Sequence, residues 1–191
     1  FHPSPIADDA LLADVGRDVI APTLAALAVE GRPYKGVLYA GMMLTANGPK
    51  VIEFNCRFGD PETQVVLPLL TSDLLDAFEA CVTGTLAANQ PTWADAAAAT
   101  VVMASAGYPV SSAAPAAIAG LAEAATLGTT VFHAGTTTVG DDILATGGRV
   151  LAVTAVRPTL SEAAEAAHAG VDAITFELSL IHISEPTRHR R

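Results

Sequence analysis

Residues 50–64 read KVIEFNCRFGDPETQ, and the fold turns on how this stretch is read. An apolar, strand-like run carries Glu53 and Asn55 and leads at once to Arg57, Asp60 and Glu62. The run before it, GVLYAGMML at 36–44, is also apolar, and TANGP joins the two. Asn47-Gly48 tolerates positive φ, so the pattern predicts a β-hairpin with a two-residue turn there. That turn sets Glu53 opposite Met42 and Asn55 opposite Ala40. Residues two apart on a strand share a face, so Glu53 and Asn55 point the same way. A carboxylate and an amide carbonyl side by side offer two hard oxygens, which suits Mg²⁺ completed by phosphate and water. Met42 and Leu44 fall on that face in this register and would form an apolar floor for a flat ring such as adenine. A half-buried strand with no ligand shows the same alternation of Glu53 and Asn55 with Ile52 and Phe54.

The residues after the strand add chemistry. Gly59-Asp60-Pro61 predicts a tight turn that gathers Arg57, Asp60 and Glu62 at the strand end. The planar fork of arginine suits a phosphate or a carboxylate. Acids suit an amine, so a site holding both suits an amino acid.

Working outward, residues 8–29 carry apolar side chains at Leu11, Leu12, Val15, Val19 and Ile20, a helical spacing with a kink or break expected at Pro22. Residues 65–86 read as helix interrupted near Thr71-Ser72-Asp73, with Ser72 or Asp73 as cap. Residues 88–98 read as a connection. Beyond it, TVVMASAGYP, TVFHAGTTT and RVLAVTAV are three strand-like runs. Thr159 or Ser161 then caps an Ala-rich helix with Glu162 in its first turn. Strands followed by a helix predict a small α+β unit.

Composition excludes several functions. The 191 residues hold 10 basic and 20 acidic side chains, a net charge of −10. Such a body repels phosphate backbones and argues against nucleic-acid binding. No apolar run reaches the roughly 18–20 residues that cross a membrane. FHPSP at the start has no basic or apolar leader character, and the chain reads as a piece of a longer protein. Cys56 and Cys81 do not make a disulfide framework, which points to a reducing, cytoplasmic setting. LSLIHISEPTR at 178–188 resembles the translated end of a transposon adapter used in sequencing libraries. Residues 178–191 are therefore expected to be a non-native tail, disordered or extended, with no packing partners evolved for it.

Several motifs in one order carry a family resemblance: EFN at 53–55, CRFGDPETQ at 56–64, YKGVLYAGMML at 34–44, SDL at 72–74, AGYP at 106–109, FHAGT at 132–136 and GGRVL at 147–151. Together they resemble glycinamide ribonucleotide synthetase, an ATP-grasp enzyme of purine biosynthesis, over essentially residues 1–177. The resemblance implies an α+β chain. Residues 1–90 would be the C-terminal half of an ATP-grasp domain and 97–177 a small C-terminal domain. It implies a ligase that joins glycine to 5-phosphoribosylamine, using ATP and Mg²⁺ or Mn²⁺. The metal ligands would be Glu53 and Asn55. Arg57 would be catalytic, beside the glycine carboxylate or the transferring phosphoryl group, and Asp60 and Glu62 would shape the substrate pocket. The family's N-terminal domain and the ATP-grasp half with the nucleotide-binding lysine lie outside this chain, so the isolated piece is expected to be inactive. The other readings are a different ATP-grasp carboxylate–amine ligase and a non-enzymatic acidic binding module. His133, Tyr108, Gly147-Gly148-Arg149 and Cys56 are read as structural: a domain contact, a turn, a strand start and a packing residue.

Overall fold

The computed structural model describes residues 1–110 and 114–176 and the backbone of 179–182. Among the described residues no helix is long and apolar enough to cross a membrane. The chain divides into two compact units. One comprises residues 3–63 and 70–94, and the other residues 1–2, 64–69 and 95–191. Two segments of the expected 1–90 domain fall instead in the unit that contains the expected 97–177 domain. Gln64–Leu69 belongs with the C-terminal unit, where Val65 and Leu69 are buried. His2 also joins that unit, exchanging two 2.8 Å backbone bonds with Ala98.

The first unit begins with helix α1, Asp9–Val15, which Asp8 caps by accepting from Leu11 N at 2.8 Å. A π-helical turn, Gly16–Ile20, carries it directly into α2, Ala21–Val29. Pro22 falls in the first turn of α2, where its lacking N–H matters least, so the helix changes winding instead of breaking. The hairpin follows as β1, Tyr39–Thr45, and β2, Gly48–Asn55. The short helix α3, Thr63–Val66, begins where the sequence passes into Gln64–Leu69 of the other unit, and the first unit resumes with α4, Leu74–Thr83. Asp73 caps α4 through Leu75 N at 2.7 Å. Gly84 closes it in the left-handed region, as the lone Gly after an apolar run implies.

The second unit is built on a four-stranded antiparallel sheet, in which β8 (Arg149–Arg157) and β3 (Ala97–Ser105) are the central strands. β5, Thr130–His133, lies outside β8, and β9, Ser179–His182, outside β3. A smaller sheet takes β4 (Ala116–Ala117), β7 (Asp142–Ala145) and β6 (Thr136–Val139). β4 and β7 are too short to announce themselves by periodicity. Helix α5, Leu121–Thr126, packs against α6, Leu160–Ala173, and α6 lies on β3 and β8. The core follows from spacing. Ala163, Ala167, Gly170 and Val171 form one stripe of α6, and Val101, Met103, Leu151 and Val153 supply the sheet. Small residues on that stripe let the helix approach closely: a Cβ on Gly170 would sit 2.8 Å from Thr129 Oγ1 and 2.9 Å from Val153 Cγ1. The capping expectation resolves to Thr159. Glu162 N donates to its hydroxyl at 3.3 Å, and Thr159 N donates to Glu162 Oε2 at 3.1 Å.

The tail differs from its expectation in part. Ser179–His182 is not without partners but runs antiparallel to Val102–Ser105. The physical reason is the edge it meets: an apolar strand such as β3 leaves a row of backbone groups to satisfy, and any short β-compatible segment serves. Amide exchange checks this, with slow exchange expected across 179–182. Free-chain rates there would place the tail outside the sheet. Residues 183–191, and 178 before the strand, lie outside the described residues.

Candidate functional site

The hairpin sets the geometry, and its register differs from the expected one. The turn falls one residue earlier, with Thr45 opposite Gly48, and Met42 pairs with Val51. A bulge then follows: Gly41 pairs with Glu53, Ala40 with Phe54 and Tyr39 with Asn55, leaving Ile52 as the extra residue. One extra residue moves everything after it to the other face. Glu53 and Asn55 still share a face, but it is the face of Tyr39 and Gly41. Met42 and Leu44 stand on the opposite face with Pro49 and Val51. They therefore lie off the Glu53–Asn55 face, on which the expected register had placed them.

On the Tyr39 face the polar groups converge. Asn55 Nδ2 donates to Glu53 Oε1 at 2.8 Å. Gly41 leaves the room that Glu53 occupies, since a Cβ there would lie 3.1 Å from Glu53 Cγ. Tyr39 Oη donates to Glu62 Oε1 at 3.2 Å, a bond across 23 residues. Partial burial, then the charge and bond of Glu62, then the charge of Glu53 push the Tyr39 phenol up, against the opposing charge of Arg57. At neutral pH it is a donor.

The turn after β2 is held at both ends. Gly59 O accepts from Thr63 N at 3.1 Å and from the Thr63 hydroxyl. Phe58 packs on Phe78 of α4 with ring centroids 6.1 Å apart. Gly59 is buried, and a Cβ there would lie 2.3 Å from Glu62 Oε2, so Glu62 folds back over the glycine. Arg57 is exposed, with Nη1 donating to Phe58 O at 2.8 Å. Asp60 is exposed at the turn. Of the residues singled out from sequence, the structure brings Glu53, Asn55 and Glu62 to one face. Tyr39 and Gly41 share that face although the sequence pattern does not single them out, and the strand period points to them once the bulge is known.

The donor set fits a hard cation that brings other ligands with it. Glu53 and Asn55 supply two oxygens outside their mutual bond. Among the described residues no cluster of three or more His, Cys, Asp or Glu forms an all-protein cage. Mg²⁺ keeps waters and takes one or two protein oxygens with substrate phosphate, which matches that count.

His133 is exposed, with Nδ1 3.2 Å from Thr136 Oγ1 across the β5–β6 connection. Tyr108 lies in a turn, its N donating to Ser105 O at 3.2 Å. Arg149 opens β8. Cys56 is exposed, so it is not the packing residue expected, because the chain leaves the hairpin at that point.

Comparison with known proteins decides the family. A family model described as phosphoribosylglycinamide synthetase, ATP-grasp (A) domain, matches residues 1–63. A second, phosphoribosylglycinamide synthetase, C domain, matches residues 98–181. The chain belongs to the phosphoribosylglycinamide synthetase family. It is 49% identical over 181 residues to the trifunctional purine biosynthetic protein adenosine-3 of Gallus gallus, covering 94% of this chain and 18% of that protein. It is 45% identical over 177 residues to the phosphoribosylamine–glycine ligase of Rhizobium meliloti, covering 93% of this chain and 42% of the ligase. This synthetase-family chain thus spans about two fifths of the bacterial ligases it matches. The crystal structure of the phosphoribosylamine–glycine ligase of Thermotoga maritima superposes with a TM-score of 0.75 at 26% identity, over 93% of this chain and 44% of that one. N5-carboxyaminoimidazole ribonucleotide synthetase from the same organism shares the fold, with a TM-score of 0.54 at 18% identity, over 92% of this chain and 44% of that one. The synthetase C-domain match runs to residue 181, so it takes in most of β9.

Proposed function

We propose that this chain is the C-terminal portion of an ATP-grasp ligase that joins glycine to 5-phosphoribosylamine, giving glycinamide ribonucleotide, ADP and phosphate. The observation that carries the reading is the converging Glu53–Asn55 pair at the end of β2, within the residues matched to the ATP-grasp domain. In this reading Glu53 and Asn55 hold Mg²⁺ or Mn²⁺. When bound, the ion would supply positive charge that offsets the charge building on the phosphate oxygens. Arg57, exposed at the strand end, swings from Phe58 O to the glycine carboxylate or the transferring phosphoryl group, where a fixed cation stabilises developing charge. Asp60 and Glu62, on the turn that follows, shape the substrate pocket. The glycine carboxylate oxygen takes the terminal phosphoryl group of ATP, releasing ADP. The amine then attacks the acyl carbon of glycyl phosphate, phosphate leaves and the amine proton passes to solvent. The two free cysteines fit a reducing compartment, and we place such a ligase in the cytoplasm.

The test joins residues 1–177 to the N-terminal portion of the Rhizobium meliloti relative. ADP formation by this full-length ligase should require both glycine and phosphoribosylamine, and the isolated chain should form none. Turnover with another carboxylate in place of glycine would favour a different ATP-grasp ligase. Indifference to nucleotide and Mg²⁺ in binding measurements would favour an acidic binding module.

A further inference from the structure

Tyr39 stands at the centre of the polar face and has no part in the reaction just described. It pairs with Asn55 across the hairpin, so its ring lies beside the proposed metal pair. Its hydroxyl leaves the hairpin to reach Glu62 Oε1 at 3.2 Å. The other oxygen of Glu62 lies over Gly59, in the space a Cβ would fill. One carboxylate is thus held from two sides, by a hydroxyl on β1 and by the bare face of a glycine in the turn. A free glutamate side chain samples several rotamers, and fixing it before substrate arrives removes that entropy from the binding step.

We propose that Tyr39 is a positioning residue: through its bond to Glu62 it fixes the carboxylate that receives the ammonium group of a small amino acid, on the same face as Glu53 and Asn55. This rests on the ligase reading above and deepens it, because it assigns the amine end of the substrate to Glu62 and the control of that end to Tyr39. Gly59 is the second half of the device. The tyrosine makes no contact with the reacting atoms and acts only through Glu62, so its effect must vanish when Glu62 can no longer act.

A double-mutant cycle in the full-length ligase tests this. Tyr39→Phe keeps the ring and removes the hydroxyl, and Glu62→Gln keeps the shape and removes the charge. Loss of a hydrogen bond to a charged group corresponds to a weakening on the order of 10- to 100-fold. That weakening is expected in KM for glycine, and in calorimetric glycine affinity without ATP or metal. KM for ATP, the Mg²⁺ requirement and the melting temperature should stay at parental values. The double variant should be no worse than Glu62→Gln alone, the non-additivity that marks two residues acting as one. Additive effects would overturn the proposal. So would a Tyr39→Phe loss shared equally by glycine and ATP with a lowered melting temperature, which is the pattern of a purely structural tyrosine. An unimpaired Glu62→Gln variant would overturn it as well, while leaving the ligase reading intact. Failure of that reading shows separately, as a parental ligase that does not use glycine, and the proposal then falls with it.

Discussion

Glu53→Gln in the full-length ligase is expected to raise the Mg²⁺ requirement sharply and to lose turnover by about 10²–10³, equivalent to roughly 2.7–4 kcal/mol of transition-state stabilisation. The substitution keeps the side chain's size, so Gly41 still accommodates it, and only the charge goes. Its partner Asn55 bonds to Glu53 Oε1 at 2.8 Å, so the two are oriented by one another and neither acts alone. Asn55→Ala removes the second hard oxygen and the bond together, and its metal dependence should shift in the same direction. Arg57→Lys keeps the charge and loses the planar fork, and should lower turnover by more than a conservative change would. These positions are exposed or half-buried at a strand end, so folding should be indifferent to all three. Initial rates across a Mg²⁺ titration, with a melt on each variant, give the answer. Three folded variants with parental turnover at limiting Mg²⁺ would reduce the polar face to a solvated strand end.

The second large effect concerns stability. Gly120 precedes α5 with φ 85°, and a Cβ there would lie 1.8 Å from Ala173 O and 2.8 Å from Ala173 C. Neither side can withdraw. Ala119 and Thr175 exchange two backbone bonds of 2.8 and 3.0 Å beside it, and Ile174 and Ala124 are in the core. Gly120→Ala therefore combines a left-handed conformation, about 1–2 kcal/mol, with a clash against fixed backbone. A loss of roughly 3 kcal/mol or more is expected for the C-terminal unit, a fall in Tm of at least about 10 °C for a unit of this size. Gly140 supplies the comparison. It also has positive φ, 61°, but nothing lies within 4 Å of its Cβ position. Gly140→Ala should show the conformational part alone, about 1–2 kcal/mol. Equal losses for the two variants in denaturant melts would mean that α5 and the end of α6 do not approach as closely as described.

Much of this protein was legible because the signals are local. The helix at 160–173 was readable from Thr159 and Glu162, which cap it through atoms three residues apart. The hairpin was readable from two apolar runs around Asn47-Gly48, and the common face of Glu53 and Asn55 from the strand period. Family motifs spread from Tyr34 to Leu151 carried the chain's relationship before any coordinate, since each depends on residue order alone. Tertiary structure decided the rest. Which face Glu53 and Asn55 occupy depends on one extra residue, Ile52, and a bulge is a property of the strand pair, not of either strand. The bond from Tyr39 to Glu62 spans 23 residues and exists only once the turn has folded back on the hairpin. Gln64–Leu69 joins the C-terminal unit because Val65 and Leu69 find their burial there, although they directly follow the site in sequence. Ser179–His182 becomes a strand because β3 offers an edge to it, and no reading of those four residues contains that edge. Local order sets which residues can act together, and the pairing of distant segments sets which of them meet.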